Sequence, residues 1–355
     1  MSLFDRDKSS ERLPVSLITG FLGSGKTTLL NKLLRHSGMA DSAVIINEFG
    51  EISLDHLLVE AVKGEIAVLA SGCVCCTMRS DLEETLRGML AQRDRGEIPA
   101  FQRILVETTG LADPAPIVQL LLNNPLLSHF VRLDTVVTTV DAVNGERQLD
   151  AQFEAVKQVA IADRLLLTKE DIGSGEVIAR LRTRLAWLNP GATLTAVQNG
   201  EIEPDQLFGA ALFDPERKTP DVRRWLNEKA YSHHSHGHDH GHHGAAHLAA
   251  VHDRDISSFC IILEGELDWM RVNDWLSQLR LAWGDRLLRV KGILNLAGEA
   301  APVAIHGVHH VFHPPVLLNA WADDDRRSRI VFITRGLERE EVEECWRLLG
   351  AAADR

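Results

Sequence analysis

The residues with the most clearly defined chemistry lie in a glycine-rich segment near the start of the chain. Residues 20–27 read GFLGSGKT and match the phosphate-binding pattern GxxxxGK[ST] at every fixed position. Glycines such as Gly20, Gly23 and Gly25 let successive backbone amides curl around phosphate oxygens, and a following helix adds its dipole. Lys26 is expected to reach the β- and γ-phosphates, and Thr27 to ligate Mg²⁺. This segment predicts a site for a nucleoside triphosphate.

A second polar segment, Thr168-Lys169-Glu170-Asp171, follows an apolar run and is similar to the guanine-recognition pattern [NT]KxD. A carboxylate at Asp171 can accept hydrogen bonds from both N1–H and the 2-amino group of guanine, and adenine lacks this donor pair. The stem of Lys169 can lie over the base. Thr168 stands where most GTPases carry Asn. The alternative is a strand that ends in an ordinary polar turn, but the preceding phosphate loop favours a guanine nucleotide.

The segment Glu107-Thr-Thr-Gly110 also follows an apolar run, between the two motifs above. It occupies the place of the DxxG segment that responds to the γ-phosphate: the acid organises Mg²⁺ and the glycine amide contacts the phosphate. Glu replaces the usual Asp here, so the carboxylate that orders the metal stays open. The alternative is a strand end followed by a turn. No residue identifies itself as the group that activates water.

Three of the five cysteines stand within four positions, at Cys73, Cys75 and Cys76. A position just ahead of a predicted helix, with Arg79 close by, favours thiolates, which are ligands for Zn²⁺ and for other thiophilic ions such as Cu(I). A tetrahedral site needs a fourth ligand, and the loop that contains Glu48 is a candidate source. The alternatives are buried structural thiols and a vicinal disulfide between Cys75 and Cys76.

Histidines form a second group of possible metal ligands. Eight of the fifteen residues from 233 to 247 are histidine, interleaved with Gly, Ser and Asp. Such a segment cannot build a core, so we expect a mobile linker whose neutral imidazoles could bind metal weakly. His309, His310 and His313 stay undecided between metal binding and a structural role.

The elements that must position these motifs follow from the apolar pattern. Six apolar runs predict the strands of a mostly parallel sheet, at 15–19, 43–46, 66–70, 103–107, 135–140 and 163–168. Helices are predicted at 27–37 and at 81–95, the second beginning at a capping box formed by Ser80 and Glu83. This alternation predicts an α/β P-loop domain of three layers over residues 1–215, with ligands at the carboxyl ends of the strands.

The second half of the chain has a different pattern. Residues 216–254 are predicted to be the histidine-rich linker, and residues 255–355 a smaller C-terminal α+β domain. Within this domain we expect strands at 256–263, 286–296, 303–312 and 329–334. Helices are expected at 268–282 and 338–349.

Composition limits the classes of protein that fit. The chain has 355 residues, with 38 Lys and Arg against 50 Asp and Glu, a net charge of −12. This length fits two domains, and the negative charge argues against a nucleic-acid or anionic-membrane surface. No apolar run reaches the roughly 18 residues of a membrane span. The polar start lacks the apolar segment of a secretory signal, and the cysteine usage suits a reducing cytosol.

The order of the motifs resembles one family. GFLGSGKTT, NEFGE, GCVCC, ETTGLADP and TKED occur here as in the CobW-like metal-chaperone GTPases, relatives of the UreG and HypB nickel-insertion GTPases. The segments GDRLLRVKGILNLAGE, FHPP and RIVFITRGLERE are similar to the C-terminal domain of that family, so the resemblance covers about residues 13–350.

This resemblance implies GTP hydrolysis coupled to delivery of a metal, zinc or else cobalt, to a client protein. It implies that Cys73, Cys75 and Cys76 hold the ion and that Lys169 and Asp171 hold the base. The residues implied at the phosphates are Gly23, Ser24, Gly25, Lys26, Thr27 and Thr28. A nucleotide-dependent homodimer is also known among related GTPases, although no residue of this chain indicates one.

Two other classes of function compete with this hypothesis. The first is a passive metal buffer, in which residues 233–247 bind metal and the GTPase activity is vestigial. The second is a P-loop kinase that phosphorylates a small molecule, which leaves the cysteine motif without a role.

Overall fold

The structure, a computed structural model, describes Phe4, residues 11–49, 66–71, 76–209, Tyr231, 255–321 and 324–353. For residues 47–49, 66–71, 76–80 and 350–353 it describes the backbone alone. Most of the predicted linker, including the histidines at 233–247, therefore lies outside the described residues. No helix among the described residues is long and apolar enough to cross a membrane.

A parallel sheet forms the first domain, and seven of its strands lie in the described residues, in the order β3-β2-β4-β1-β5-β6-β7. The fold class predicted from the sequence is confirmed. The strands are β1 Leu13–Gly20, β2 Ser42–Phe49, β3 Ile66–Ser71, β4 Arg103–Glu107, β5 Val131–Asp141, β6 Arg164–Thr168 and β7 Thr193–Val197. All six predicted strands are present, and β7 at the sheet edge was not predicted.

Helices cover both faces of this sheet. They are α1 Lys26–Arg35, α2 Cys76–Asp94, α3 Ala115–Asn123, α4 Gly145–Ala151, α5 Phe153–Ile161, α6 Gly175–Leu188 and α7 Pro204–Leu207. Consecutive strand residues point to opposite faces, so Leu17 packs with the α2 and α3 side chains and Ile18 with those of α1. This two-sided burial explains why the strands are apolar throughout.

One prediction about a helix boundary is wrong. The sequence predicts that the second helix begins after a capping box at Ser80, but α2 begins at Cys76. Ser80 therefore lies inside the helix. A capping preference contributes only about 1 kcal/mol, so surrounding structure can override it.

The strand order brings three predicted functional segments to one edge of the sheet. β1 lies between β4 and β5, and β6 follows β5. Gly20 of β1 pairs with Thr139 of β5, and Asp141 at the end of β5 pairs with Thr168 at the end of β6. Because all these strands are parallel, the phosphate loop and the segments after Glu107 and Thr168 meet at the same carboxyl edge.

The C-terminal domain is an antiparallel sheet covered by two helices. Its strands run in the order β11-β10-β9-β13-β8, and β12 pairs with β10. Trp275 and Phe332 are fully buried between sheet and helices. The strands are β8 Ile256–Leu263, β9 Leu287–Leu294, β10 Val303–Val308, β11 Val311–Phe312, β12 Val316–Leu317 and β13 Ser328–Arg335, and the helices are α8 Trp269–Trp283 and α9 Arg339–Ala353.

Tyr231 is the described residue of the predicted linker. It is buried on the C-terminal sheet against Cys260 and Ile293, and burial raises the pKa of its hydroxyl. This position of the linker therefore packs on a domain. The predicted boundaries at 215 and 254 stay predictions, because residues 210–230 and 232–254 lie outside the described ranges.

The two domains share a buried contact. Leu288 and Ile333 of the C-terminal domain pack in one cluster with apolar residues of α5 and α6. Beside them, the Asp163 carboxylate accepts hydrogen bonds from Arg289, at 3.1 Å, and from Lys291. Burial opposes ionisation of Asp163, but the charges of Lys291 and Arg289 outweigh it and hold the pKa of Asp163 below its usual value. The domains are therefore joined by both apolar packing and a buried ionic cluster.

Candidate active site at the carboxyl edge of the parallel sheet

The phosphate loop connects β1 to α1 and packs tightly against β5. Gly20 has a φ of 138°, and a Cβ built there would lie 2.4 Å from the carbonyl oxygen of Thr139. Only glycine fits this position. Ser24 Oγ lies 2.6 Å from Thr139 Oγ1, which fixes the middle of the loop to the same strand.

Lys26, the first residue of α1, is a buried cation on this loop. Its Nζ donates to the carbonyl oxygens of Gly20 at 2.9 Å and Phe21 at 3.2 Å. The ammonium group is therefore held inside the curve of the loop, where the sequence predicts the β- and γ-phosphates.

Thr27 and Glu107 meet, although they are 80 residues apart in the sequence. Thr27 Oγ1 donates to Glu107 Oε1 at 3.1 Å, and the Glu107 side chain is buried. A hydroxyl and a carboxylate side by side are the hard oxygen ligands that Mg²⁺ prefers. The donor set thus fits the ion, with Glu in place of the usual Asp.

Gly110 approaches the phosphate loop closely. A Cβ at Gly110 would lie 2.6 Å from the amide nitrogen of Leu22, so a larger residue would push the two loops apart. Nearby, Thr108 Oγ1 donates to Thr19 Oγ1 at 2.8 Å. The segment after β4 therefore rests directly on the loop that precedes α1.

The predicted base-binding segment also reaches the phosphate loop. Thr168 Oγ1 donates to the carbonyl oxygen of Ser24 at 2.8 Å, and Lys169 Nζ donates to that of Gly23 at 2.6 Å. Lys169 has a φ of 61°, in the left-handed region that is rare for residues other than glycine. Thr168 thus ties the two loops together through a hydroxyl. Asp171 lies exposed on the short turn Glu170–Ile172 that follows.

Asp141 at the end of β5 belongs to this site and was missed by the sequence analysis. Its buried carboxylate accepts from Lys169 Nζ at 2.8 Å and from the backbone amides of Val143 and Asn144. Burial opposes its ionisation, but the hydrogen bonds from Lys169 and Asn144 outweigh burial and lower the pKa of Asp141. An acid that ends an apolar strand, as in TVVTTVD, was the available signal.

Most of the predicted cysteine site lies outside the described residues. This applies to Cys73 and Cys75, while Cys76 is described only as the first backbone position of α2. Glu48 is described as a backbone position near the end of β2. In the part of the chain that is described, no group of three or more His, Cys, Asp and Glu side chains is placed to hold a metal ion.

The three histidines near 310 do not converge. His309 is mostly buried, and burial lowers its pKa. His310 lies 3.8 Å from Asp285, and the His313 ring contacts the carbonyl oxygen of Pro314.

The fold and the loop geometry define a P-loop GTPase, in which a parallel sheet brings the phosphate loop and the segments predicted to contact the γ-phosphate and the base to one edge. The family model described as CobW/HypB/UreG, nucleotide-binding domain, matches residues 14–196. A second model, the cobalamin synthesis protein cobW C-terminal domain, matches residues 256–348. The chain belongs to the CobW/HypB/UreG family.

Named relatives span nearly the whole chain. Zinc chaperone YjiA of Escherichia coli is 35% identical over 93% of this chain and 96% of its own length. Zinc chaperone CobW of Pseudomonas aeruginosa is 29% identical over 94% of this chain and 91% of its own. Zinc-regulated GTPase metalloprotein activator 1 of Schizosaccharomyces pombe is 28% identical over 95% of this chain and 86% of its own.

A solved structure has the same architecture. The crystal structure of Zn(II)-bound YjiA GTPase from E. coli aligns with 95% of this chain and 99% of its own, with 31% identity and a TM-score of 0.68. The similarity therefore extends over both domains.

Proposed function

We propose that this chain is a GTP-driven metallochaperone that binds zinc and transfers it to a client metalloprotein. The observation that carries the proposal is the contact between Thr27 and Glu107, 3.1 Å apart. This contact joins the phosphate loop to the segment that leads to Gly110. Loss of the γ-phosphate can therefore change the position of the loop and of that segment together. Three relatives that span the chain are named zinc chaperones or a zinc-regulated GTPase metalloprotein activator.

In this proposal the phosphates of GTP lie in the loop from Gly20 to Thr28, with Lys26 at the β- and γ-phosphates. The amide of Gly110 contacts the γ-phosphate, and Asp171 and Lys169 bind the guanine base while Thr168 holds the base segment in place. Thr27 and Glu107 would hold Mg²⁺, which neutralises charge on the transferred phosphoryl group when bound.

The metal cargo is proposed to bind at Cys73, Cys75 and Cys76, with Glu48 as the fourth ligand. The backbone register supports this set: Phe49 of β2 pairs with Ser71 of β3, so Glu48 and Ser71, which stands two residues before Cys73 in the sequence, lie at neighbouring strand ends. Thiolate ligands favour zinc, and cobalt is the second candidate. The thiols must be reduced to act, which suits the cytosol.

The client is proposed to be a metalloprotein that receives zinc, with no role for nucleic acid or membrane. The C-terminal domain is the proposed recognition surface. A homodimer that forms around bound nucleotide is compatible with metal binding and transfer driven by GTP hydrolysis. These assignments depend on the predicted divisions at 1–215, 216–254 and 255–355.

Two variants test the proposed roles separately. Lys26→Ala is expected to lose GTP binding, because the loop loses its cation. Cys75→Ala is expected to lose stoichiometric tight zinc while it keeps GTP binding. Cys345→Ala, a cysteine in α9 away from the motif, is the matched control and should keep both. Zinc affinity that is unchanged in Cys75→Ala would remove the cysteine motif from the proposal.

A metal buffer is the second candidate, favoured by the eight histidines within residues 233–247. Deletion of these residues separates the two functions. A buffer would lose most of its zinc capacity, whereas a chaperone would keep the tight site and lose only loading efficiency.

A further inference from the structure

Helix α5 forms hydrogen bonds to the segment that contains Gly110. Gln158 is almost fully buried, and its Nε2 donates to the carbonyl oxygens of Gly110 at 3.2 Å and Ala112 at 3.0 Å. The backbone carbonyl oxygen of Gln158 accepts from Thr138 Oγ1 of β5 at 2.8 Å. One side chain thus links this segment to a helix that is itself fixed to the sheet.

The neighbouring residue makes a second link to the same segment. Lys157 Nζ lies 2.7 Å from Asp113 Oδ2, and both side chains are largely buried. The other oxygen of Asp113 accepts from the amide of Ala115, which starts α3. Two consecutive residues of α5 therefore fix residues 110–113 at three points.

The same helix packs on the C-terminal domain. Val156 and Val159 of α5 share an apolar cluster with Leu288 and Ile333 of that domain. Arg335 lies over the ring of Phe153, 4.0 Å from its centre. A movement of the C-terminal domain must therefore move α5 or break this packing.

The C-terminal domain also contacts α3, the helix that follows residues 110–113. His309, in the turn between β10 and β11, lies within electrostatic reach of both Asp113 and Lys157. Gln119 of α3 donates to the carbonyl oxygen of Val308 at 3.3 Å. The C-terminal domain thus contacts α3, the helix whose first amide Asp113 accepts, and its His309 lies within electrostatic reach of the Lys157–Asp113 pair.

We propose that Lys157 and Gln158 are positioning residues for GTP hydrolysis, through which the C-terminal domain sets the position of Gly110. The inference rests on the proposed function in one respect, since it takes the Gly110 amide as a contact of the γ-phosphate. GDP has no γ-phosphate, so a displaced Gly110 slows turnover of GTP and leaves GDP affinity unchanged. A surface of the C-terminal domain that binds a client is then coupled to hydrolysis.

The direct test compares Lys157→Met with Lys157→Arg and with Lys32→Met. Lys32 of α1 forms an ion pair with Glu201, 3.0 Å between Nζ and Oε1, and takes no part in the contacts that fix residues 110–113. Lys32→Met therefore removes a lysine ion pair elsewhere in the chain and is the matched control. We expect kcat for GTP to fall about tenfold in Lys157→Met, with KM and the Kd of GDP within about twofold of wild type. Lys157→Arg keeps the ion pair and should retain most of the turnover.

Two further variants separate positioning from stability. Asp113→Asn keeps the oxygen that accepts from the Ala115 amide and loses the ion pair with Lys157. The double variant Asp113→Asn/Lys157→Met should have a kcat no lower than that of either single variant. His309 has a φ of 52°, which glycine adopts freely, so His309→Gly should fold. We expect it to change kcat about threefold or more with GDP affinity unchanged, because the C-terminal contact is altered.

Either of two results would overturn this inference and leave the proposed function intact. Turnover in Lys157→Met equal to that in Lys32→Met would show that the pair does not position Gly110. A loss of GDP affinity and of melting temperature in step with kcat would show a purely structural role. A wild-type chain that releases no phosphate from GTP would instead overturn the proposed function, and this inference with it.

Discussion

The Asp141 side chain explains how the lysine of the base segment is held. Lys169 Nζ lies between the Asp141 carboxylate and the carbonyl oxygen of Gly23, at 2.8 and 2.6 Å. Asp141 is fixed in turn by the amides of Val143 and Asn144. These two contacts hold the Lys169 ammonium group beside the phosphate loop, where the proposed base site lies.

Asp141→Asn tests this account of Lys169. The variant keeps an oxygen for the two amides and loses the charge that holds Lys169. We expect GTP and GDP affinity to fall by a similar factor of about ten, or ~1.4 kcal/mol, because the base contact is common to both nucleotides. Fluorescent-nucleotide titration measures this.

The control for that titration is Asp150→Asn, which removes an exposed carboxylate paired with Arg184 at 2.7 Å. It should bind both nucleotides as the wild type does. If Asp141→Asn also binds them normally, Lys169 needs no partner to contact the base.

Among the helices and strands, the sequence predicts those that a local pattern of apolar residues specifies. Six strands were predicted from continuous apolar runs, and where side chains are described, in β1, β2, β4, β5 and β6, residues on both faces are buried. β7 was missed because most of its residues, TLTAV, are only partly buried at the edge of the sheet. The pair of Lys157 and Asp113 joins residues 44 apart in the sequence, and such long-range contacts leave no local signal.

The start of α2 was also predicted incorrectly, which gives a stability test. If α2 begins at Cys76, Ser80 is a helix-interior residue, and Ser80→Ala should change the free energy of unfolding by less than about 0.5 kcal/mol. Denaturant unfolding measures this value. Asp268→Ala is the control, because Asp268 caps α8 by accepting from the Arg271 amide at 2.9 Å, and it should lose about 1 kcal/mol.

A loss of about 1 kcal/mol in Ser80→Ala, equal to that in the control, would restore Ser80 as the cap. The helix would then start after the cysteine motif rather than at Cys76.

At the scale of the whole molecule, the junction between the domains contains a buried charge cluster. Asp163 of the first domain meets Arg289 and Lys291 of the second, and all three side chains are mostly buried. A buried carboxylate that pairs two cations favours this arrangement of the domains, because a shift that separated the three groups but kept them buried would leave their charges uncompensated.

Asp163→Asn is expected to lower the free energy of unfolding by about 3–5 kcal/mol at neutral pH, since it leaves buried cations uncompensated. The pKa of Asp163 is held below its usual value of 3.8. The ionised Asp163 therefore stabilises the folded state fully at pH values above 3.8. This stabilisation is lost as the pH falls through the lower pKa that Asp163 has in the folded state.

Denaturant unfolding from pH 7 down to pH 3 measures both parts of this prediction. The difference between wild type and Asp163→Asn should be constant near neutral pH and should shrink in the acid range. A difference that grows as the pH falls would contradict the assigned direction of the pKa shift.

The proposed function requires that the nucleotide state control the affinity for metal, and a competition titration with zinc measures this coupling. The wild-type protein is titrated with GDP bound and again with a non-hydrolysable GTP analogue bound. We expect zinc dissociation constants that differ by about tenfold or more between the two states, a coupling of ~1.4 kcal/mol that suffices for directed transfer. Equal dissociation constants in the two states would contradict it, because GTP hydrolysis could not then drive the release of zinc.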